Sequence, residues 1–514
     1  MTLNKITAAI CTLLACNLYA EEKQSWIVTD GSNENTVKQM MIMGSAPSIQ
    51  SISSNKGINI YKMASSEVAT FSEMLHVNNH KCGGYTSHNS LEEAQLALVE
   101  VQASQADTLI ATSYSINNAT NVRPMLEAVN ASNIAMTIEH LSTSYTNRFY
   151  TTSSGLESAQ WIHDNWASIA SSRSDISVEY FEHASWDQPS IILTINGTDD
   201  TDEVVVLGAH IDSTVGSSTG EGTYAPGADD DASGVAVLTE ALTVLVDQDY
   251  HPQKTIKIMG YAAEEVGLLG SDAIAKDYKD RGVNVIGVIQ FDMTNFHGSF
   301  EDITIFTDYT NSSQNSFVVD LIETYQNIEV GYSSCGYGCS DHASWYQQGF
   351  AASMPFESSM SDINPNIHTS RDTLANSDAN ATTSVPFTKL ALSYMGELAK
   401  GSIGNNPNPE EPEVEVVNFS GSVSRNEETQ LGSVPAKAGT DVIVEMTGTN
   451  DADLYVALGS EASTSNWECR PYASGSSESC TVTVPANGDE PYIMVRGYSS
   501  RSSSYNISAT YTPK

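Results

Sequence analysis

Residues 204–212 read Val-Val-Val-Leu-Gly-Ala-His-Ile-Asp, an apolar run that ends on a histidine and an aspartate. Four apolar residues followed by small ones predict a buried strand. Downstream, residues 232–246 have helical spacing and open on Asp231-Ala232-Ser233, a good capping signal. Residues 255–263 read as another buried strand, 267–278 as a helix, and 285–291 and 303–307 as further strands. Alternation of this kind predicts an α/β domain over residues 106–400, with a mixed, largely parallel sheet flanked by helices.

The regions outside this domain differ in character. Residues 1–20 place one lysine, Lys5, before an apolar run that closes on Ala20, followed by Glu21-Glu22. This predicts a secretory signal, too short to be a membrane span, and an extracellular product. A lipid-anchored form through Cys16 is the lesser alternative. Residues 21–105 carry no chemical motif and are read as a pro-segment, so the chain is expected to be made as a zymogen. Residues 401–415 (GSIGNNPNPEEPEVE) read as an exposed linker. Residues 416–514 form short alternating runs separated by Ser and Gly turns, which predicts an all-β sandwich.

The 514-residue chain holds 23 Lys and Arg against 63 Asp and Glu, a net charge of −40. Such a chain repels nucleic acid and anionic membrane. Outside the signal, five cysteines remain, and export favours disulfides. Cys335 with Cys339 and Cys469 with Cys480 are the natural pairs by proximity. Cys82 is left over, which fits a removable segment.

Candidate ligands collect at the ends of the predicted strands. His210 and Asp212 follow the first; Asp229-Asp230-Asp231 precedes the helix, in PGADDDASG. Glu264-Glu265 and Asp292 close later strands, in YAAEEVGLLG and QFDMTN, and His368 lies in NIHTSRDT. In open α/β sheets ligands gather at the carboxyl ends of strands. A mixed set of carboxylates and imidazoles suits zinc better than calcium. On an extended chain Glu264 and Glu265 point in different directions and suit two jobs, metal ligand and general base.

PGADDDASG, GYAAEEVGL, DMTN, CGYGCSDHASW and IHTSRDTLANSD together resemble the secreted bacterial leucyl aminopeptidases, which are di-zinc exopeptidases. The tail from Val416 resembles the bacterial pre-peptidase C-terminal domain. The resemblance implies a zinc exopeptidase fold with two zinc ions, and a preference for peptide and protein N-termini with large apolar first residues such as leucine. It implies attack by a zinc-bound hydroxide with Glu264 as general acid–base. It assigns Asp230 as the bridge, His210 and Asp292 to one ion, and Glu265 and His368 to the other. Asp212 is expected to orient the imidazole of His210 without touching metal. The Cys335–Cys339 disulfide is expected to brace the loop beside the site. Tyr337, Met354, Phe356 and Ile367 are expected to line the pocket, and a cis bond is expected between Asp230 and Asp231. The enzyme is expected to act as a monomer.

Two rivals remain at this stage. A carboxypeptidase or deacylase would need a cation at the substrate carboxylate, and Arg371 is the only basic residue within the ligand motifs. A binding protein on a peptidase scaffold typically loses ligands or the base, yet all six positions are filled.

Overall fold

In a computed structural model, the structure describes residues 23–44, 48–55, 58–79, 84–95, 97, 114–199, 202–216, 219–404 and 415–514. The expected signal, Cys16, Cys82 and most of the linker lie outside the described residues. The N-terminal unit runs β1 (Gln24–Asp30), α1 (Glu34–Met43), β2 (Gln50–Asn55), β3 (Ile58–Ala64), α2 (Val68–Asn79) and β4 (Tyr85–His88). The central unit opens with α3 (Ala119–Glu127), α4 (Ala131–Thr143), α5 (Ser153–Ile169), β5 (Ile176–Phe181), β6 (Ser190–Ile195) and β7 (Glu203–His210). It continues with α6 (Ala232–Asp247), β8 (His251–Pro252), β9 (Thr255–Tyr261), α7 (Leu269–Asp280), β10 (Asn284–Gln290) and β11 (Ile303–Phe306). It closes with α8 (Ser312–Tyr325), β12 (Val330–Ser333), α9 (His342–Gln347), β13 (Ala352–Phe356), α10 (Val385–Leu398) and β14 (Gly401–Ser402). The C-terminal unit holds β15 (Glu415–Val423), β16 (Glu428–Ser433), β17 (Asp441–Gly448), β18 (Ala452–Leu458), β19 (Glu478–Thr483), β20 (Pro491–Gly497) and β21 (Ser503–Tyr511).

The central sheet has the order β12-β11-β13-β10-β7-β9-β6-β5. Strands β13, β10, β7 and β9 run parallel, while β6 and β5 add antiparallel pairing at one edge and β11 pairs antiparallel to β13. Strand β7 shows why its sequence is uniformly apolar. Val205, Leu207 and Ala209 pack into the cluster that holds α6 and α10. Val204 and Val206 pack into the opposite cluster with Ile274, Tyr278 and Trp345 from α7 and α9. A strand covered on both faces has no solvent side on which a polar residue would be tolerated. Register then fixes the site: His210 pairs with Tyr261, and Gly208 with Gln290. The chain therefore leaves β7, β9 and β10 at one level, and the segments that follow emerge side by side.

Residues 21–105, which carry no chemical motif, contain an antiparallel sheet of order β2-β3-β1-β4. Its core includes Ile27, Val37, Met40, Met63, Phe71 and Leu75. Its short strands and weakly amphipathic helices left little periodicity to read. Glu264 and Glu265 do not close an extended strand. Strand β9 ends at Tyr261, and Ala263, Gly267 and Leu268 all take positive φ. The pair sits in a tight turn whose Gly267 and Leu268 N–H groups donate to the Glu264 carbonyl, so α7 starts at Leu269 rather than 267.

The C-terminal unit is all-β, with antiparallel sheets of order β15-β21-β17-β19 and β16-β20-β18. Its core includes Val444, Leu454, Val456, Ile493 and Ala509. Cys469 and Cys480 are disulfide-bonded, as are Cys335 and Cys339. Among the described residues no helix is long and apolar enough to cross a membrane.

Helix α5 is held to α6 by Trp166, fully buried, whose indole N–H donates to Thr239 Oγ1 at 2.9 Å. Trp166→Ala should cost about 3–5 kcal/mol through the cavity and the lost hydrogen bond. Urea unfolding followed by circular dichroism checks this, and a loss under about 1 kcal/mol would show that the site collapses around the gap.

Candidate metal centre

Local folding at the strand ends sets each ligand candidate. Asp231 caps α6: its Oδ1 accepts from Gly234 N–H (2.8 Å) and Met293 N–H (3.2 Å), and its Oδ2 from His210 N–H (3.1 Å). One side chain thus ties β7, the start of α6 and the segment after β10 together. Asp229 accepts from Asn295 N–H (3.0 Å) and Asn364 Nδ2 (2.7 Å). Both carboxylates are occupied by protein donors, and only Asp230 of the run is turned to the imidazoles. The Asp230–Asp231 peptide bond is cis. Asp372 accepts from the N–H groups of Asp229 (3.0 Å) and Asp230 (3.1 Å).

Asp230 presents one oxygen to each histidine. Its Oδ1 lies 2.9 Å from His210 Nε2 and its Oδ2 lies 3.0 Å from His368 Nε2. Asp292 Oδ1 stands 3.6 Å from His210 Nε2, and Glu265 Oε2 2.8 Å from His368 Nε2. Two groups with metal-ligand spacing result: Asp230 with Glu265 and His368, and His210 with Asp292 and Asp231. In the second group the oxygens of Asp231 are already taken by backbone N–H groups, so Asp230 is the better third donor. All but the half-buried His368 are buried. Asp292 Oδ1 and Glu265 Oε1 have no hydrogen-bond donor, while Asp230 Oδ2 and Glu265 Oε2 share the one Nε2 of His368. Buried carboxylate oxygens without donors are costly unless a cation meets them, and imidazole with carboxylate is a zinc-type donor set. The residues present therefore fit a bound metal.

Asp212 does more than expected. Its carboxylate accepts from the N–H groups of Glu264 (3.0 Å) and Glu265 (3.3 Å), and its Oδ1 stands 3.5 Å from His210 Nδ1. It fixes the turn that carries the two glutamates as well as facing the imidazole. Glu264 lies outside both ligand groups, 2 % exposed, with Oε1 unpaired. It lines a cavity with Asp230 and Asp292. Tyr337, Met354 and Phe356 line the same cavity, and Ile367 packs in the same cluster without lining it. Sequence reasoning missed Met293, Phe306, Met360 and Ile363, which complete the apolar wall. They are ordinary apolar residues from the end of β11 and from the segments after β10 and β13, and nothing local marks them. The Cys335–Cys339 bridge also faces this cavity, and Asp308 accepts from Cys335 N–H at 3.1 Å.

Electrostatics follow from burial. Burial lifts the carboxyls of Glu265 and Asp341 to about 7, and lifts Glu264 well above the usual carboxylate range. Burial alone would lower His210, but Asp292 and hydrogen bonds to Asp212 and Asp230 outweigh it and raise the imidazole. Burial would raise Asp230, yet hydrogen bonds from His210 and His368 hold it below its ordinary value.

Comparison with known proteins supports this reading. The family model for peptidase family M28 matches residues 190–393, and that for the bacterial pre-peptidase C-terminal domain matches residues 429–497. A probable leucine aminopeptidase of Arthroderma benhamiae is 36% identical over 290 residues, covering 55% of this chain and 78% of the relative. Leucine aminopeptidase 1 of Arthroderma otae is 38% identical over 312 residues, covering 58% and 82%. The LapA aminopeptidase of Legionella pneumophila superposes with a TM-score of 0.62 at 28% identity, covering 74% of this chain and 99% of LapA. LapB of the same organism gives 0.64 at 28% identity, covering 73% and 100%. The two sequence relatives are fungal, so they do not support the bacterial part of the resemblance drawn from the motifs.

The raised carboxyls set a pH dependence for protein stripped of metal. A carboxyl whose folded pKa lies above its unfolded value of about 4 stabilises the fold at low pH. That stability is lost as pH rises through the folded value, here about 7 for Glu265 and Asp341. The raised His210 works in the same direction, while the depressed Asp230 is ionised in both states over this range and adds no slope. Chelator-stripped protein should therefore melt at a lower temperature at pH 8 than at pH 5.5, and added zinc should shrink the difference. A stripped protein that gains stability over that range would contradict this account.

Proposed function

From the premise that this chain belongs to peptidase family M28, and is a metallo-aminopeptidase by its relatives, we propose a secreted enzyme with two zinc ions. It removes the N-terminal residue of peptides and proteins, with preference for large apolar residues such as leucine. The observation that carries this reading is the placement of Asp230, one oxygen 2.9 Å from His210 and the other 3.0 Å from His368. A carboxylate placed this way could serve two cations at once. Asp292 completes the His210 side, and Glu265 the His368 side. Zinc bound there would act as a Lewis acid on the scissile carbonyl and lower the pKa of water.

The remaining work falls to the chain itself. Glu264 is buried, unpaired and outside the ligand groups, so it takes a proton from water and returns it to the leaving amine. Asp212 holds its turn in place. The walls made by Tyr337, Met354 and Phe356 take the first side chain and exclude water. The surplus of carboxylates beside them receives the free ammonium. The residues lining the cavity include no Lys or Arg, and Arg371 is exposed, with its N–H on Thr369 Oγ1. That disfavours a carboxypeptidase, which needs a cation for the substrate carboxylate.

We further propose that residues 1–20 direct export, that 21–105 form a removable pro-segment, and that the enzyme works as a monomer. The N-terminal unit has its own core, and Ser72 Oγ donates to the Glu265 carbonyl at 3.0 Å. Contact with the catalytic turn suits a folding aid for the central unit. Residues 401–415 then link the catalytic domain to the β domain at 416–514.

Leucine p-nitroanilide should be hydrolysed, the activity should be lost to a chelator and regained with zinc, and the N-acetylated substrate should be inert. Comparable cleavage of the acetylated substrate would mark an endopeptidase or deacylase instead. Glu264→Gln should lower kcat by about 10²–10⁴-fold and keep both zinc ions, since no ligand is removed. Glu265→Gln should lose metal. Metal content measured beside kcat tests the assignment, which fails if the two variants behave alike.

A further inference from the structure

Behind the ligand groups lies one buried cation. Arg148, 1% exposed, is the only lysine or arginine among the buried described residues. It sits between α4 and α5, in a stretch with no metal-binding motif. Its guanidinium hydrogen-bonds no carboxylate. Nε donates to Ile211 O at 3.0 Å, Nη1 to Pro226 O at 2.6 Å and Leu141 O at 3.2 Å, and Nη2 to Gly227 O at 2.8 Å. Ile211 stands between His210 and Asp212, while Pro226 and Gly227 lead directly into the Asp229–Asp231 run. The backbone reinforces the link: Arg148 N–H donates to Ser213 Oγ at 3.0 Å, and that hydroxyl donates to Ala225 O at 2.8 Å. Gly227 has φ +51, and a Cβ there would lie 2.9 Å from Nη2, so the close approach requires glycine.

The two segments clamped by Arg148 each carry a ligand of a different kind, His210 on one and Asp230 on the other. A metal tolerates errors of only about 0.2 Å in ligand distance. Without a link, the loop between the segments would have to set that separation. A planar guanidinium offers five N–H donors in fixed directions, which a lysine ammonium cannot reproduce. Resting on the metal-centre reading above, we propose that Arg148 is a positioning residue. It sets the spacing of the His210 and Asp230 segments so that the ligands stand in place before metal arrives.

The test uses the full chain and two variants, Arg148→Lys and Ser213→Ala. Zinc affinity is measured by competition with a chromophoric chelator, together with thermal unfolding of the metal-free form and the separate kcat and KM. Arg148→Lys keeps the charge and loses the fork. It should bind zinc about 10–100-fold more weakly, as when other partners of ligands are removed. Its kcat should fall while KM stays within a factor of about three. Ser213→Ala should show a smaller loss in the same direction. A merely structural arginine would lower the melting temperature and leave the zinc affinity of the folded protein unchanged. Folded Arg148→Lys with zinc affinity within twofold of the parent overturns the proposal. If Arg148→Lys does not fold, unchanged affinity in Ser213→Ala overturns it. A parent chain that binds no zinc overturns the metal-centre reading itself, which is a separate result.

Discussion

The structure depends on keeping several carboxylates together in a buried pocket. Asp230, Glu264, Glu265, Asp292, Asp341 and Asp372 are all buried near the ends of β7, β9 and β10. Like charges gathered at low dielectric repel, and each also loses its hydration. The surroundings answer that cost in several ways. Backbone N–H groups meet Asp212, Asp229, Asp231 and Asp372, imidazoles flank Asp230, and several carboxyls have raised pKa values. An acidic cluster of this kind is a poor device for stabilising a fold and a good one for capturing cations.

Much of the architecture was legible because it rests on local signals. The run at 204–207 is apolar on every residue since β7 is covered on both faces. The helix over 232–247 announces itself by Asp231, which caps it by accepting from Gly234 N–H. The five ligand candidates were readable mainly through the motifs that carry the family resemblance, with His210 and Asp292 also closing predicted strands, and the structure brings all five into two adjacent groups. The disulfides at 335–339 and 469–480 followed from proximity. What stayed hidden depends on contacts distant in sequence. Asp212 meets the N–H groups of Glu264 and Glu265 some fifty residues on. Met293, Phe306, Met360 and Ile363 share a wall only after the sheet has formed. Arg148 carries no signal, since its partners are carbonyl groups, which every residue has. The turn at 264–268 was misread as extended chain because Ala263 and Leu268 take positive φ without being glycine.

The outer units relate to the centre differently. The N-terminal unit reaches the catalytic turn through Ser72, and a side chain added at Gly267 would run into the ring of Tyr85. The C-terminal sandwich supplies none of the ligand candidates and meets the central unit well away from them, where Arg123 on α3 bonds Thr483 Oγ1 at 3.2 Å. All the ligand candidates therefore lie in the central unit, and both flanking units touch it.

The triple aspartate at 229–231 looks redundant as composition, three copies of one residue in a row. The structure gives each copy a separate and non-transferable duty. Asp229 anchors Asn295 and Asn364, Asp230 faces both imidazoles, and Asp231 gathers β7, α6 and the segment after β10. No neighbour can stand in for another, because a shift of one residue would turn every side chain to a different partner. The run thus behaves as a single inheritable word rather than three letters. A substitution at any one of the three removes a set of partners that the other two carboxylates, already engaged elsewhere, cannot supply.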